Sequence, residues 1–212
     1  MEEKFWLDKW QKNEIGFHEK SGNPMLAQYF TALSLKKGSR IFLPLCGKTG
    51  DIAWLRTQGC AIAGAELSEV AVQQLFEELE LTPKIEKENN LKCYSAEKIK
   101  IFVGDIFSLT GDALGSVEAI YDRAALVALP EEMRKRYTQH LMTITGVASQ
   151  LLISFEYEQS QLAGPPFAIG SRQIFGYYDA NYHLEMLGHR QVPGGLKGLV
   201  PAEEVAWLLT RR

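Results

Sequence analysis

The sequence predicts an α/β fold: a mostly parallel, twisted sheet with helices on both faces and an antiparallel C-terminal strand. Three observations predict it. From residue 40 to residue 155, short apolar runs alternate with stretches of helical spacing, the order of repeated strand–crossover–strand units. The first apolar run, Ile41 to Leu45, enters a glycine turn at Gly47 and Gly50 and then a helix. The second run, Ala61 to Ala65, ends on Glu66, which lies 19 residues after Gly47. In a doubly wound sheet that spacing places a carboxylate beside the turn, within reach of ribose hydroxyls.

In order along the chain, residues 1–23 carry Phe5, Trp6, Trp10, Phe17 and His18, too many aromatics for a solvated tail. Met25, Leu26, Tyr29, Phe30 and Leu33 have helical spacing after Pro24, and Gly38 stops that helix. The core then reads strand 40–45, helix 49–58, strand 61–65, and helix 68–80 with Ser68 as its N-cap. Residues 82–98 are mostly charged and read as connection. Next come strand 99–103, a loop at Gly104 and Asp105, strand 117–121, a helix from Pro130 to about Thr143, and strand 149–155. Residues 158–171 contain Gly164-Pro-Pro-Phe167 and read as a loop or lid. The remainder, from Gln173 to Arg212, reads as the antiparallel end of the sheet.

At 212 residues and 46% hydrophobic content the chain suits one domain, 1–212. Residues 1–38 form an aromatic and helical cap over the ligand site, and 39–212 form the core. The net charge of −3 carries no basic footprint, so no nucleic-acid or membrane partner is expected. The start, Met1-Glu-Glu-Lys-Phe-Trp6, lacks the basic and apolar regions of a signal peptide, and no run is long enough to span a membrane. Cys46, Cys60 and Cys93 have no metal-ligand spacing and suit a reducing cytoplasm. No metal site is expected.

Gly47-Lys48-Thr49 resembles the end of a phosphate-binding loop, but the first glycine of that motif would fall on Phe42, and Pro44 stiffens the turn. The dinucleotide pattern also lacks its first and third glycines. A ligand with a ribose and no phosphate at the helix N-terminus fits better, and S-adenosylmethionine is the common cofactor of that kind. Each candidate residue has a structural alternative. Glu66 binds ribose or caps the next helix. Asp105 accepts from an adenine amino group or forms a turn. Asp122 and Arg123 are a structural pair, or Arg123 faces the substrate with its planar fork of donors. Trp6 and Trp10, four apart on one helix face, are core or cap a cationic sulfonium. His18 is a general base or a structural histidine.

Taken together, the segments Trp6-Leu-Asp-Lys-Trp10, Gly16-Phe-His18, Pro44-Leu-Cys-Gly-Lys48, Glu66-Leu-Ser68, Asp122-Arg-Ala-Ala-Leu-Val-Ala128 and Gly164-Pro-Pro-Phe167 resemble the thiopurine S-methyltransferase family. They stand in family order and cover most of the chain. The resemblance implies a Rossmann-like class I methyltransferase, cytoplasmic and monomeric. Its cofactor would be S-adenosyl-L-methionine, its product S-adenosyl-L-homocysteine, and its acceptor a small aromatic thiol such as 6-mercaptopurine. Trp10, Leu45, Glu66 and Arg123 match positions that contact the cofactor, and Trp6, Phe17 and Ile106 match residues lining the same pocket. Gly47 and Asp105 join this set from the spacing argument.

Arg123 also matches an arginine near the thiopurine and is the candidate catalytic residue. Phe17, Phe167 and Lys197 are candidate substrate contacts beside it, with Phe155, Tyr157 and Pro166 as further walls. Two departures stand out. Ala124 replaces a family glycine, so its φ is expected to be ordinary. The family's second substrate arginine has no clear match, Lys197 being nearest. The rival expectations are an oxidoreductase of the same fold, a methyltransferase acting on selenium or tellurium oxyanions or small thiols, and a non-catalytic S-adenosylmethionine-binding protein.

Overall fold

The structure is a computed structural model that describes residues 3–15 and 21–212. Its centre is β1 (Arg40–Pro44), paired in parallel with β2 (Ala61–Glu66) on one side and β6 (Ala119–Arg123) on the other. The sheet continues outward from β2 through β5 (Ile99–Val103), and from β6 through β7 (Ser149–Glu156), all parallel. Two antiparallel strands, β9 (Glu203–Arg211) and β8 (Tyr182–Gln191), complete the β7 side. With β3 (Lys84–Glu88) and β4 (Leu91–Ala96), the described residues form one nine-stranded sheet in the order β3-β4-β5-β2-β1-β6-β7-β9-β8. Strand order reverses between β1 and β6, and in such sheets the crevice outside the strand C-termini at that point is where ligands bind.

The strands are buried on both sides, which is why β1, β2, β6 and β7 read as continuous apolar runs. One face packs α2 (Pro24–Tyr29), α3 (Asp51–Thr57) and α4 (Glu69–Glu78) through Met25, Leu26, Ile52, Leu55, Val72 and Phe76. The other packs α5 (Gly111–Leu114), α6 (Glu131–Thr145) and α7 (Ser171–Tyr178) through Leu114, Tyr137, Leu141, Ile174 and Tyr178. Ser68 caps α4, its hydroxyl accepting the Ala71 N–H at 3.3 Å. The N-terminal α1 (Glu3–Gln11) carries both Trp6 and Trp10, and α2 continues into a 3-10 turn, Phe30–Leu33.

Four sequence expectations need correction. Residues 82–98 are not mere connection: β3 and β4 form a hairpin that widens the sheet beyond β5. Its edge strand is Lys-Ile-Glu-Lys-Glu, exposed for most of its length, so charge hides the alternation; Lys84–Glu86 and Lys100–Glu88 ion pairs dress it. The C-terminal part opens on a helix, α7, before its two antiparallel strands. The fourth parallel strand runs to Arg123 rather than stopping at residue 121.

The fourth correction is Ala124, whose φ is +62°. The chain must turn sharply there from β6 into the 3-10 turn Leu126–Ala128. Asp122 secures that turn by accepting the Leu126 N–H at 3.0 Å, so alanine adopts the glycine conformation instead of avoiding it.

Candidate active site

A cavity of 1120 Å³ opens at the C-terminal ends of β1, β2, β5, β6 and β7. Its floor is the β1 turn. Leu45 (φ +46°) and Gly47 (φ +52°) both lie in the left-handed region, which bends the backbone under the cavity. Glu66, 6% exposed at the end of β2, locks this bend. One carboxylate oxygen accepts the Gly47 N–H at 2.7 Å, and the other accepts the Ser68 N–H at 2.8 Å. Burial raises the Glu66 pKa above the ordinary carboxylate value, while these backbone donors pull it back. Each oxygen keeps a second lone pair, and Glu66 borders the cavity. Loop lock and ligand contact are therefore compatible roles for one side chain.

The roof comes from α1. Trp10 is 5% exposed and lies so close to Gly47 that a Cβ added there would sit 2.9 Å from the indole. Trp6 borders the cavity too, edge-on to Phe5 at 5.2 Å. Trp10 is thus core-packed and also borders the cavity, so packing and capping, alternatives in the sequence, are compatible there. At the β5 end stand Asp105 and Ile106. Asp105 accepts the Phe107 N–H at 3.0 Å and so forms its turn while also lining the cavity. Arg136 lies over the Phe107 ring at 3.7 Å, and His140 meets the Ile106 carbonyl at 2.8 Å.

Arg123 and Ala124, from the end of β6, also line the cavity, as do Phe155, Pro165, Pro166 and Lys197. The Lys197 ammonium donates to the Pro165 carbonyl at 2.7 Å, which ties the 158–171 loop to the β8–β9 connection. Phe167 does not line this cavity. Its N–H donates to the Val127 carbonyl at 2.7 Å and its ring packs beneath Arg134 at 5.1 Å, so it braces the loop from behind. Tyr157 is likewise a brace, donating its hydroxyl proton to the Pro166 carbonyl at 2.7 Å. Phe17 and His18 lie outside the described residues.

Asp122, fully buried, is absent from the cavity wall. Besides Leu126 it accepts the Tyr137 hydroxyl at 2.8 Å, and burial pushes its pKa up from 3.8 to about 6. Because the folded value exceeds the unfolded one, the folded chain binds more protons between pH 4 and 6. Stability is therefore lost as pH rises through that window and stays lost above it. The penalty at neutral pH is roughly 2–3 kcal/mol. Asp122→Asn should thus gain about that much relative to the parent between pH 4 and pH 7.5 in urea unfolding. Parallel stability curves for the two proteins would refute the assignment.

Sequence reasoning missed several cavity residues. Arg136 sits among the polar positions of α6, indistinguishable there from a solvated face. Arg190 and Glu204 sit in the C-terminal strands, where only their mutual register could have revealed them. Cys46 borders the cavity, but burial and the Glu66 charge raise its pKa well above the ordinary thiol range, so it is wall and not nucleophile.

A parallel core extended by an antiparallel pair, with its cavity at the switch point, is the doubly wound architecture of S-adenosylmethionine-dependent methyltransferases. A solved structure of 1,6-didemethyltoxoflavin-N1-methyltransferase from Burkholderia thailandensis, with bound 1,6-didemethyltoxoflavin and S-adenosylhomocysteine, shares this fold. It has a TM-score of 0.68 and 12% identity, over 99% of this chain and 87% of that one. The family model for thiopurine S-methyltransferase matches residues 1–211. The thiopurine S-methyltransferase of Xanthobacter autotrophicus is 49% identical over 212 residues, all of both chains. That of Teredinibacter turnerae is 49% identical over 211 residues, 100% of this chain and 98% of its own. The chain belongs to the thiopurine S-methyltransferase family. Among the described residues, no helix is long and apolar enough to cross a membrane.

Proposed function

We propose that this family member methylates the sulfur of aromatic and heterocyclic thiols such as 6-mercaptopurine. The observation that carries the reading is the juxtaposition, in one cavity, of the Glu66-locked turn beneath Trp10 and the Arg123–Lys197 wall. The residues fit S-adenosylmethionine. Glu66 has lone pairs left for ribose hydroxyls, and Leu45, Gly47 and Ile106 offer backbone and apolar surface. Trp6 and Trp10 offer ring faces to a sulfonium, and Asp105 accepts from an amino group. Bound there, the cofactor supplies an electrophilic methyl group on a sulfonium and leaves as S-adenosylhomocysteine.

The chain's own part is alignment and electrostatics. An aromatic thiol is already acidic, so a strong general base is not needed. Arg123 holds the thiolate form, its proton having gone to solvent, and aims the sulfur at the methyl carbon. Lys197 adds positive charge at the far side, and Phe155 and Pro166 exclude water. No metal enters this reading. We take the enzyme to be monomeric, as the family resemblance implies, and cytoplasmic, in keeping with its three free cysteines.

The test is transfer of labelled methyl from S-adenosylmethionine to 6-mercaptopurine, alongside calorimetry of cofactor binding. Turnover is expected. Tight cofactor binding with no thiol methylated would overturn the acceptor assignment and leave the cofactor site standing. Binding of NAD in preference to S-adenosylhomocysteine would overturn both.

A further inference from the structure

We propose that Arg190 is an acceptor-specificity residue, reading a neutral hydrogen-bond acceptor, a ring nitrogen or oxo group, on a heterocyclic thiol. The proposal rests on the thiol-acceptor reading above and names a residue that reading does not use.

The fold takes specific steps to bring Arg190 to the cavity. At the start of β8, Tyr182 and Leu184 stand opposite Arg211 and Leu209 of β9 and pack into the α6–α7 layer. In an unbroken ladder Arg190 would share their parity and face that layer. The register instead shifts between Met186 and Gly188. Such a bulge turns the following residues over: Gly188 pairs with Ala206, which with Leu208 packs into the α2–α3 layer. Beyond it Arg190 stands directly opposite Glu204. The bulge is seated tightly: a Cβ at Gly188 would fall 2.1 Å from the Tyr29 hydroxyl.

Arg190 is then held in place. Its Nε donates to Glu204 Oε2 at 2.6 Å, and Nη2 pairs with the same oxygen. Glu204 has a side chain only 3% exposed, and its other oxygen accepts Asn23 Nδ2 at 2.8 Å. Asn23 is anchored in turn, its own N–H donating to Asp51 at 2.6 Å and its side-chain oxygen accepting the Met25 N–H at 2.8 Å. Swinging Arg190 away would leave a buried carboxylate short of a donor, which is costly. Nη1 has no partner among the described residues, and Arg190 and Glu204 both border the same cavity as Lys197.

The charge of this arrangement selects the ligand chemistry. Glu204 neutralises Arg190, so the pair adds no net charge for a thiolate. What remains is a directed pair of N–H donors on a rigid planar fork. Such donors discriminate strongly between a partner with an acceptor atom and one without. Heterocyclic thiols have such atoms around the ring, and benzenethiol has none.

The experiment measures binding of 6-mercaptopurine and of benzenethiol to the full chain saturated with S-adenosylhomocysteine, for wild type and Arg190→Lys. Lysine keeps a charge against Glu204, and unchanged S-adenosylhomocysteine affinity verifies the fold. The expected result is a loss of about 10- to 100-fold in 6-mercaptopurine affinity with benzenethiol unaffected. Asn23→Ala, which removes a support of Glu204, should raise KM for 6-mercaptopurine in wild-type-like turnover without lowering kcat. Equal loss for both thiols, or no loss for either, overturns the role of Arg190 while the acceptor reading survives. A wild-type complex that binds neither thiol overturns the acceptor reading and this proposal with it.

Discussion

Glu66→Ala should weaken S-adenosylhomocysteine binding by about 1–3 kcal/mol, the worth of charge-assisted hydrogen bonds, and should also destabilise the free protein. The second effect follows from geometry. Both oxygens already accept buried backbone donors, from Gly47 and Ser68. Alanine strands two N–H groups, each costing about 1–3 kcal/mol when left unsatisfied. Glu66→Gln is nearly as damaging to the turn, because an amide presents one oxygen and one NH₂, and the NH₂ must then face an N–H. The ribose contact can be separated from the turn lock with an S-adenosylhomocysteine analogue lacking the ribose hydroxyls. Against wild type the analogue should bind more weakly than S-adenosylhomocysteine, and against Glu66→Ala the two should bind nearly alike. Such a cycle isolates the pairwise interaction. An equal preference for the hydroxylated ligand in both proteins would remove Glu66 from the ribose and leave it as a loop lock alone.

The parts of the fold that could be read from sequence are those where one physical rule dominates. Ile41 to Leu45 and Ala61 to Ala65 are strands buried on both sides, so their composition is unambiguous. Ser68 announces a helix by its chemistry, and the Gly47-to-Glu66 spacing is set by one strand–helix–strand unit. The β3–β4 hairpin stayed hidden because its edge strand is charged and lacks a buried face. The Ala124 conformation was hidden for a different reason. Left-handed φ is uncommon for alanine, and only the demand of the β6 turn, enforced through Asp122, requires it. Phe167 read as a substrate wall because it ends the Gly164-Pro-Pro-Phe167 segment of the family resemblance; Pro165 and Pro166 do reach the cavity, and Phe167 braces them from behind. Arg190 depends on a bulge two residues upstream, and a change of parity inside a strand leaves no mark that residue type alone could show.

The same dependence on close approach makes Gly47→Ala the other severe substitution. The left-handed backbone at φ +52° costs an L-residue about 1–2 kcal/mol. The new methyl would also lie 2.9 Å from Trp10 Cζ2 and 3.3 Å from Cη2, closer than carbon atoms tolerate. Either the turn moves and loosens the bond from Gly47 to Glu66, or Trp10 lifts and opens the roof. Both outcomes damage the cofactor site, and loss of a buried tryptophan's packing reaches about 3–5 kcal/mol in the worst case. Cofactor affinity should therefore fall at least as far in Gly47→Ala as in Glu66→Ala. The two causes separate in a Trp10→Ala background, where the methyl finds open space and only the backbone strain remains. Gly47→Ala should then cost about 1–2 kcal/mol in urea unfolding, and distinctly more when Trp10 is present. Identical costs in the two backgrounds would show that Trp10 does not rest on the turn, and the account of α1 as the roof of the site would have to be abandoned.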